Sequence, residues 1–552
     1  MNYNTKQFDV IILGSGLAGS ILATILARHN IQVLMIDKGS HPRFAVGEAM
    51  TPDTDLMMSI LSYQYDVPEI AHLSSFKNIC ENISPSACGL KRSFNFIYHR
   101  EGQKQTLQEA NKVGVHPSSH LFRQDIDHYM AKVAVKYGVK LLENTSITDI
   151  KIESKGIELE VESGESFTAN YLVDASGYRS PLSQKFNLRE IPTRFKTHSR
   201  SIFTHMVDVK RYDDCVRAIA KSSDELFWYQ GTLHHIFDGG WMWVIPFNNH
   251  ENSGNPNCSV GLNFDSRRFP KTEISPEQEF KNFLTRFPDI AIQFENAKPI
   301  RQWVSTDRLQ YSSHSCVGER FYVLSHAAGF IDALYSFGLV NTCTIIIPLA
   351  SQIMKAIAEN DYSAERFTDI EHLQQKLFDY NDTLVNCSYI SFADFNLWDA
   401  WRRIWILGSF MRQAKAGLKK KLKIAAGKGK ELFDLNSSNL DSLTPSFEGL
   451  GDNFFRNATT IVEKVSEGLL SANEAATHIM GLINSVDFVP SDYYKLGDPS
   501  QKNIDGESDF IASEHKRFMF WVKSSQKPEV KKYFDYDIED LLAIANLNTA
   551  KR

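Results

Sequence analysis

The stretch from Phe8 to Asp37, FDVIILGSGLAGSILATILARHNIQVLMID, constrains this chain more than any other. An apolar run, Val10 to Leu13, reads as a buried parallel strand. It leads into Gly14-Ser15-Gly16-Leu17-Ala18-Gly19, and helical spacing follows through Leu22, Ile25 and Leu26. A second apolar run, Val33 to Ile36, closes on Asp37. Strand, glycine turn, helix and second strand in direct succession make a parallel βαβ unit. In such a unit Gly14 permits the tight turn, Gly16 lets the backbone approach a pyrophosphate, and Gly19 lets the helix pack closely on the strand. The start of the helix aims free N–H groups at the phosphates, and Asp37 is placed to accept from the adenosine ribose. The segment predicts dinucleotide binding.

Two later segments say which dinucleotide. VDASGYRSPL sets Asp174 and Gly177 after an apolar strand, and FYVLSHAAGFIDALYSFGL runs from a strand through Ala327-Ala328-Gly329 to Asp332 and a helical pattern. Three strand-to-glycine turns suit one extended cofactor touched along its length, which fits FAD better than NAD. Arg123, in the charged run Arg123 to Asp127 that opens a helix, is a further candidate contact. A second nucleotide fold for NAD(P)H is not evident.

Composition removes other classes. A net charge of -6 argues against general nucleic-acid binding. Seven scattered cysteines without a C-x-x-C pair read as a reducing cytoplasm with neither disulfide framework nor zinc site. The apolar N-terminal run passes straight into the glycine turn, which is no signal-peptide layout. LVNTCTIIIPLASQIM is interrupted by Asn341, Thr342, Thr344 and Pro348 and makes a poor membrane span.

Gly14-x-Gly16-x-x-Gly19, the GEAMTP run of Gly47 to Pro52 with Glu48, and Trp241-x-Trp243-x-Ile245-Pro246 together resemble the flavin-dependent halogenases, over about residues 7 to 350. The resemblance implies the α/β fold of the FAD monooxygenases: a Rossmann-like FAD-binding module, a mixed β-sheet substrate layer and a C-terminal helical region. It implies reduced FAD from a separate flavin reductase, with oxygen and chloride or bromide as co-substrates. In that family the halide becomes hypohalous acid, which passes along a tunnel to a lysine beside the organic substrate. By resemblance Trp241, Trp243, Ile245 and Pro246 lie along the tunnel, the backbone at Phe337 and Gly338 holds halide, and Glu48, Arg123, Asp174, Gly329 and Asp332 surround the flavin. The family lysine must be partly buried; Lys77, following the G-E-x-x-x-P run in SSFKNI, is the expected one, with Lys91 in LKRSFNF as its rival.

Two positions depart from the family pattern. Tryptophan-directed members carry glutamate in a D-P-L-E-S-T-G run, where this chain has Asp332-Ala333-Leu334-Tyr335-Ser336-Phe337-Gly338. Tyr335 in place of that carboxylate points to a phenolic or other electron-rich aromatic substrate, free or tethered to a carrier protein. Ser325-His326 replaces a Gly-Asp pair whose aspartate touches the ribityl chain.

The expected organisation is a flavin module over residues 1–360, with substrate-facing insertions at about 61–104 and 191–300, and a mainly helical region over 361–552. Residues 1–60, 105–190 and 300–360 supply the cofactor contacts. Phe395, Trp398, Trp401 and Trp405 recur at helical spacing and read as core, with a substrate pocket as the alternative. The basic run from Lys415 to Lys430 is a solvated face or a dock for an acidic carrier protein, and 436–446 reads as a linker. The expected function is halogenation of an aromatic group in natural-product biosynthesis; the alternatives are an FAD-dependent aromatic hydroxylase and a non-catalytic flavin-binding interaction protein.

Overall fold

The computed structural model describes residues 6–84, 87–215, 227–417, 450–488, 495–504 and 520–534. The linker at 436–446 and all of the basic run beyond residue 417 lie outside the described residues.

In chain order the strands are β1 (Lys6–Leu13), β2 (Val33–Ile36), β3 (Gly89–His99), β4 (Ala110–His120), β5 (Lys140–Leu142), β6 (Ile147–Glu153), β7 (Gly156–Val161) and β8 (Ser166–Asp174). There follow β9 (Ser199–Val207), β10 (Thr232–Phe237), β11 (Gly240–Pro246), β12 (Cys258–Asp265), and the short β13 (Lys298–Pro299), β14 (Val304–Ser305), β15 (Val317–Gly318), β16 (Phe321–Val323) and β17 (Asn503–Ile504). The helices that bear on the site are α1 (Leu17–Arg28), α2 (Pro52–Tyr65), α3 (Phe76–Asn82), α4 (Arg123–Lys136), α5 (Phe337–Glu359), α6 (Thr368–Ser391) and α7 (Phe395–Arg412).

The first sheet runs β15-β16-β8-β1-β2-β5, with β6 and β7 attached through β8. Leu13 is in register with Ile36 on one side and Asp174 on the other, and Asp174 with Val323. The three turns picked out in the sequence therefore leave the same edge of the parallel part of this mixed sheet, where open α/β sheets bind their ligands. Val10, Ile11 and Ile12 are wholly buried because helices cover this sheet, which is why they lack polar alternation.

The second sheet runs β13-β9-β12-β11-β10-β3-β4-β17, with β14 on β9. Residues 110–120, expected within the cofactor segment, instead form β4 of this sheet as the hairpin partner of β3. Alternation along β11 divides two cores. Trp241, Trp243 and Ile245 join the large cluster that contains the first sheet and the helices, while Met242 and Val244 join a smaller one with Phe280, Phe283 and Phe287.

The large cluster continues through α6 and α7 to Phe534, so the helical C-terminal region and the flavin module share one core. Asp399 on α7 pairs with Arg402 and Arg403, and Arg403 donates to the carbonyls of Leu496, Asp498 and Gln501. That clamp holds the chain just before β17, which pairs with β4. Helix α5 has the length and composition to cross a bilayer, yet 78% of its apolar window is buried inside the fold.

Candidate functional site

The glycine turn is built so that only glycine fits twice. Gly14 has φ +95°, and a Cβ there would lie 2.7 Å from Ala175 O; a Cβ on Gly19 would lie 2.0 Å from Gly14 O. Gly16 caps α1 without any side-chain acceptor, so the first N–H groups of the helix stay available to a phosphate. At the end of β2, Asp37 accepts from Ser15 N and Oγ, both at 2.8 Å, from Gly39 N at 2.9 Å, and from Arg43. Burial alone would raise its pKa, but Arg43 and those N–H groups outweigh it and hold the carboxyl at about 2. The close glycine turn and the open helix start fit the pyrophosphate of FAD, with an ionised Asp37 held beside them by Ser15, Gly39 and Arg43.

Other expected cofactor residues take different places. The Asp174 carboxylate accepts from Ser176 N (3.0 Å), Ser176 Oγ (2.6 Å), Ser180 Oγ (2.6 Å) and Leu182 N (3.1 Å), because the turn after β8 needs an internal acceptor. Asp332 likewise turns to the substrate layer, accepting from Ser199 Oγ (2.5 Å), Tyr389 OH (3.1 Å) and Leu334 N (3.0 Å), and burial raises its pKa. Arg123 pairs with Asp127 and donates to Val46 O at 2.7 Å, fastening the segment before Glu48 to α4. Glu48 is buried and bonded to His205 Nε2 at 2.7 Å. Gly329 packs its Cα against the Phe378 ring and Tyr311 O.

Phe337 and Gly338 open α5. The cap residue Ser336 is left-handed, φ +56°, and makes no side-chain cap, so the N–H groups of this first turn have no side-chain partner. A Cβ on Gly338 would come 2.8 Å from His326 Nε2; glycine lets the imidazole sit against the helix start. Burial, with Arg123 adding to it, pushes His326 down to about 4, so the ring is neutral there.

The lysine expectation needs correction. Lys77 lies on α3 with its side chain 81% exposed, 3.8 Å from Glu81. A solvated ammonium on a short surface helix cannot meet the requirement of burial. Lys91 on β3 is 0% exposed; its Nζ donates to Met50 O at 2.6 Å and lies 3.5 Å from the centre of the Phe94 ring. Burial drives its pKa well below that of an ordinary lysine.

Around Lys91 stands an aromatic wall. Phe94 meets Trp405 edge-on at 5.1 Å, Phe96 meets Trp398 at 5.5 Å, and Tyr335 stacks on Trp405 at 5.0 Å and meets Phe337 at 5.7 Å. His234 lies 4.6 Å from Phe96 and 5.6 Å from Trp241, which is 5.7 Å from Trp243. Ring contacts thus run unbroken from the tryptophan strand past Lys91 to the first residue of α5. Trp243 is fixed by its Nε1 bond to Ser259 Oγ (3.1 Å), Ile245 is buried beside it, and Pro246 O accepts from His120 Nδ1 (2.9 Å). Burial, then the neighbouring Lys91, brings both His120 and His234 down to about 3, so neither adds charge to the wall.

Sequence reasoning passed over Phe94, Phe96 and His234. Alternation groups Lys91 with Ser93 and Asn95, away from Phe94; the β3–β4 ladder breaks between Lys91 and Ser93, and that break lets the lysine reach the Phe94 ring. The tryptophans of α7 are core, as expected, and Trp398 and Trp405 also form the wall.

A family model described as an FAD binding domain matches residues 7–273. The chain is 42% identical over 553 residues to the monodechloroaminopyrrolnitrin halogenase PrnC of Pseudomonas fluorescens, covering 97% of this chain and 95% of that one. It is 40% identical to the tetracycline 7-halogenase of Kitasatospora aureofaciens, covering 98% and 97%. The crystal structure of halogenase PltM with phloroglucinol and FAD superposes with a TM-score of 0.83 at 33% identity, covering 90% of this chain and 99% of that one.

Proposed function

The chain belongs to the flavin-dependent halogenases and is an FAD-dependent enzyme, and from that premise we propose that it halogenates an uncharged, electron-rich aromatic ring held against Lys91. Reduced FAD, when bound, supplies with oxygen the oxidising power that turns chloride or bromide into hypohalous acid. The rest falls to the chain. The turn at Gly14, Gly16 and Gly19 with Asp37 carries the adenosine half of the cofactor. The N–H groups of Phe337 and Gly338 hold the halide, supported by their lack of any side-chain cap. Trp241 and Trp243 keep the organic ring from the flavin side, and Lys91 presents the halogen to it.

One observation carries this reading: Lys91 is sealed from solvent at the junction of Phe94, Trp405 and the tryptophan strand. An amine with its proton affinity lowered by burial can hydrogen-bond or bind hypohalous acid at neutral pH, where an exposed lysine is fully protonated. Tyr335, bonded to Ser388 and stacked on Trp405, leaves no carboxylate to hold the amino group of free tryptophan. PrnC, the tetracycline halogenase and phloroglucinol-bound PltM support an aromatic substrate. Reduced flavin comes from a separate reductase. The enzyme works in the cytoplasm, which its seven free thiols support.

The test supplies reduced FAD, oxygen and chloride or bromide to the enzyme with phloroglucinol as probe. Mass spectrometry reads the halogen isotope pattern, and absorbance follows flavin reoxidation. Lys91→Ala should lose at least about 100-fold in halogenated product while reoxidising flavin normally, and Lys77→Ala should match wild type. Halogenation retained in Lys91→Ala refutes the lysine assignment. A product that gains oxygen and no halogen refutes the reaction.

A further inference from the structure

The carboxylate of Asp37, at the end of β2, is already full. Its Oδ2 accepts from Ser15 N and Ser15 Oγ, both at 2.8 Å, and from Arg43 Nη2 at 2.5 Å. Its Oδ1 accepts from Gly39 N at 2.9 Å and from Arg43 Nη1. Five donors meet a carboxylate with about four lone-pair sites, so an incoming ribose hydroxyl finds none left. Ser15 and Gly39 belong to the turns on either side of Asp37 and stay with it. Arg43 has an exit: its side chain is 32% exposed, against 6% for Asp37.

The segment that carries Arg43 is laid across the glycine turn. His41 Nε2 lies 2.9 Å from Ser15 Oγ and 3.0 Å from Ser15 O. The single hydroxyl proton of Ser15 goes to Asp37, so the imidazole is the donor to both oxygens. Backbone bonds tie the segment to the residues after β5: His41 N donates to Glu143 Oε1 (2.7 Å), Asn144 N to Gly39 O (3.1 Å) and Thr145 N to Asp37 O (2.9 Å). Gly39 leaves room for the guanidinium, since a Cβ there would lie 3.0 Å from Arg43 Nη1. The backbone is thus anchored while the Arg43 side chain can swing to water.

We propose that Arg43 is a built-in competitor of the adenosine ribose: its guanidinium holds the Asp37 oxygens in the flavin-free chain and must leave before FAD can use them. This rests on the adenosine half lying against Asp37. Only hydrogen bonds are exchanged. A ribose hydroxyl donates where Nη1 and Nη2 did, the guanidinium is taken up by water, and no proton or covalent bond moves. Ser15 and Gly39 go on donating throughout, so the buried carboxylate is never left bare. A bidentate guanidinium–carboxylate pair is among the stronger charge-assisted contacts. A site open only part of the time binds its ligand more weakly by that fraction, so a latch shut about nine-tenths of the time weakens FAD about tenfold. Such a site favours exchange over retention, because Arg43 closes behind a departing cofactor. That suits an enzyme whose reduced flavin arrives from a separate reductase.

The test is binding of oxidised FAD to the full chain, read by flavin fluorescence at equilibrium and in stopped flow. ADP, which carries only the adenosine half, is a second probe, read by its displacement of FAD. Arg43→Ala and Arg43→Met should each tighten FAD and ADP about three- to tenfold, through faster apparent association with dissociation unchanged. A fold weakened by either change would loosen FAD, so a gain in affinity is not what a merely structural arginine gives. In an Asp37→Asn background the Arg43 changes should have no effect. FAD affinity that is unchanged or weaker in both Arg43 variants overturns the proposal. Asp37→Asn alone separates this from the placement of the adenosine. If it leaves FAD and ADP binding intact, the ribose is not at Asp37 and the proposal falls with the site. If it weakens both while the Arg43 variants bind like wild type, the site stands and only the competition is refuted.

Discussion

Gly261→Ala should damage this enzyme at the tryptophan strand while leaving the backbone of β12 at ease. Gly261 is in register with Trp243 across β11 and β12, and a Cβ built on it would lie 1.9 Å from Trp243 Cζ2 and 2.0 Å from Cη2. Ordinary contact begins near 3.4 Å, so the indole must retreat by about 1.5 Å. It has little room: Nε1 is tied to Ser259, and the Trp241 and Phe203 rings stand at 5.7 and 6.0 Å. Overpacking of this kind costs about 1–3 kcal/mol. Removing the ring should remove the clash, so in a Trp243→Ala background the same glycine change should cost almost nothing. The double-mutant cycle on unfolding free energy therefore has an expected coupling of about 1–3 kcal/mol. The displaced indole should also loosen the partition between flavin and substrate, read as fewer halogenated products per flavin reoxidised. A coupling below about 0.5 kcal/mol with unchanged product yield would refute both the packing argument and the role given to Trp243.

Three further outcomes follow from single contacts. Asp37 titrates at about 2 in the folded chain against an ordinary 3.8, so it contributes about 2 kcal/mol above pH 4 that is lost as pH falls toward 2; Asp37→Asn should destabilise the flavin-free protein by that amount at pH 7 and by almost nothing at pH 2, measured by urea unfolding. Arg403→Ala should cost about 1–3 kcal/mol and open residues 496–501 to limited proteolysis, because it frees three carbonyls while Asp399 keeps Arg402. Gly338→Ala should raise the chloride KM roughly tenfold by driving His326 from the start of α5, with flavin reoxidation unchanged; an unaltered KM would count against halide at that helix end.

The sequence by itself determined the N-terminal βαβ unit. Gly14, Gly19 and Asp37 lie within one βαβ unit, where local spacing and backbone sterics decide both structure and chemistry, and the structure brings their turns to one sheet edge. The two-residue period of Trp241, Trp243 and Ile245 likewise gave their common face before any partner strand was known. Tertiary structure alone decided the reactive centre. Lys77 and Lys91 are equally charged and nearly adjacent in sequence, and only packing exposes one on a surface helix and seals the other beneath α7. The break in the β3–β4 ladder and the arrival of Trp405 from more than three hundred residues away depend on contacts between distant segments. Asp174 shows the same limit from the other side: the acidic residue after β8 was legible, but that its oxygens serve their own turn was a matter of three-dimensional hydrogen bonding. Period and turn chemistry are properties of neighbours along the chain, whereas burial, and the proton affinities it sets, belong to whichever segments the fold brings together.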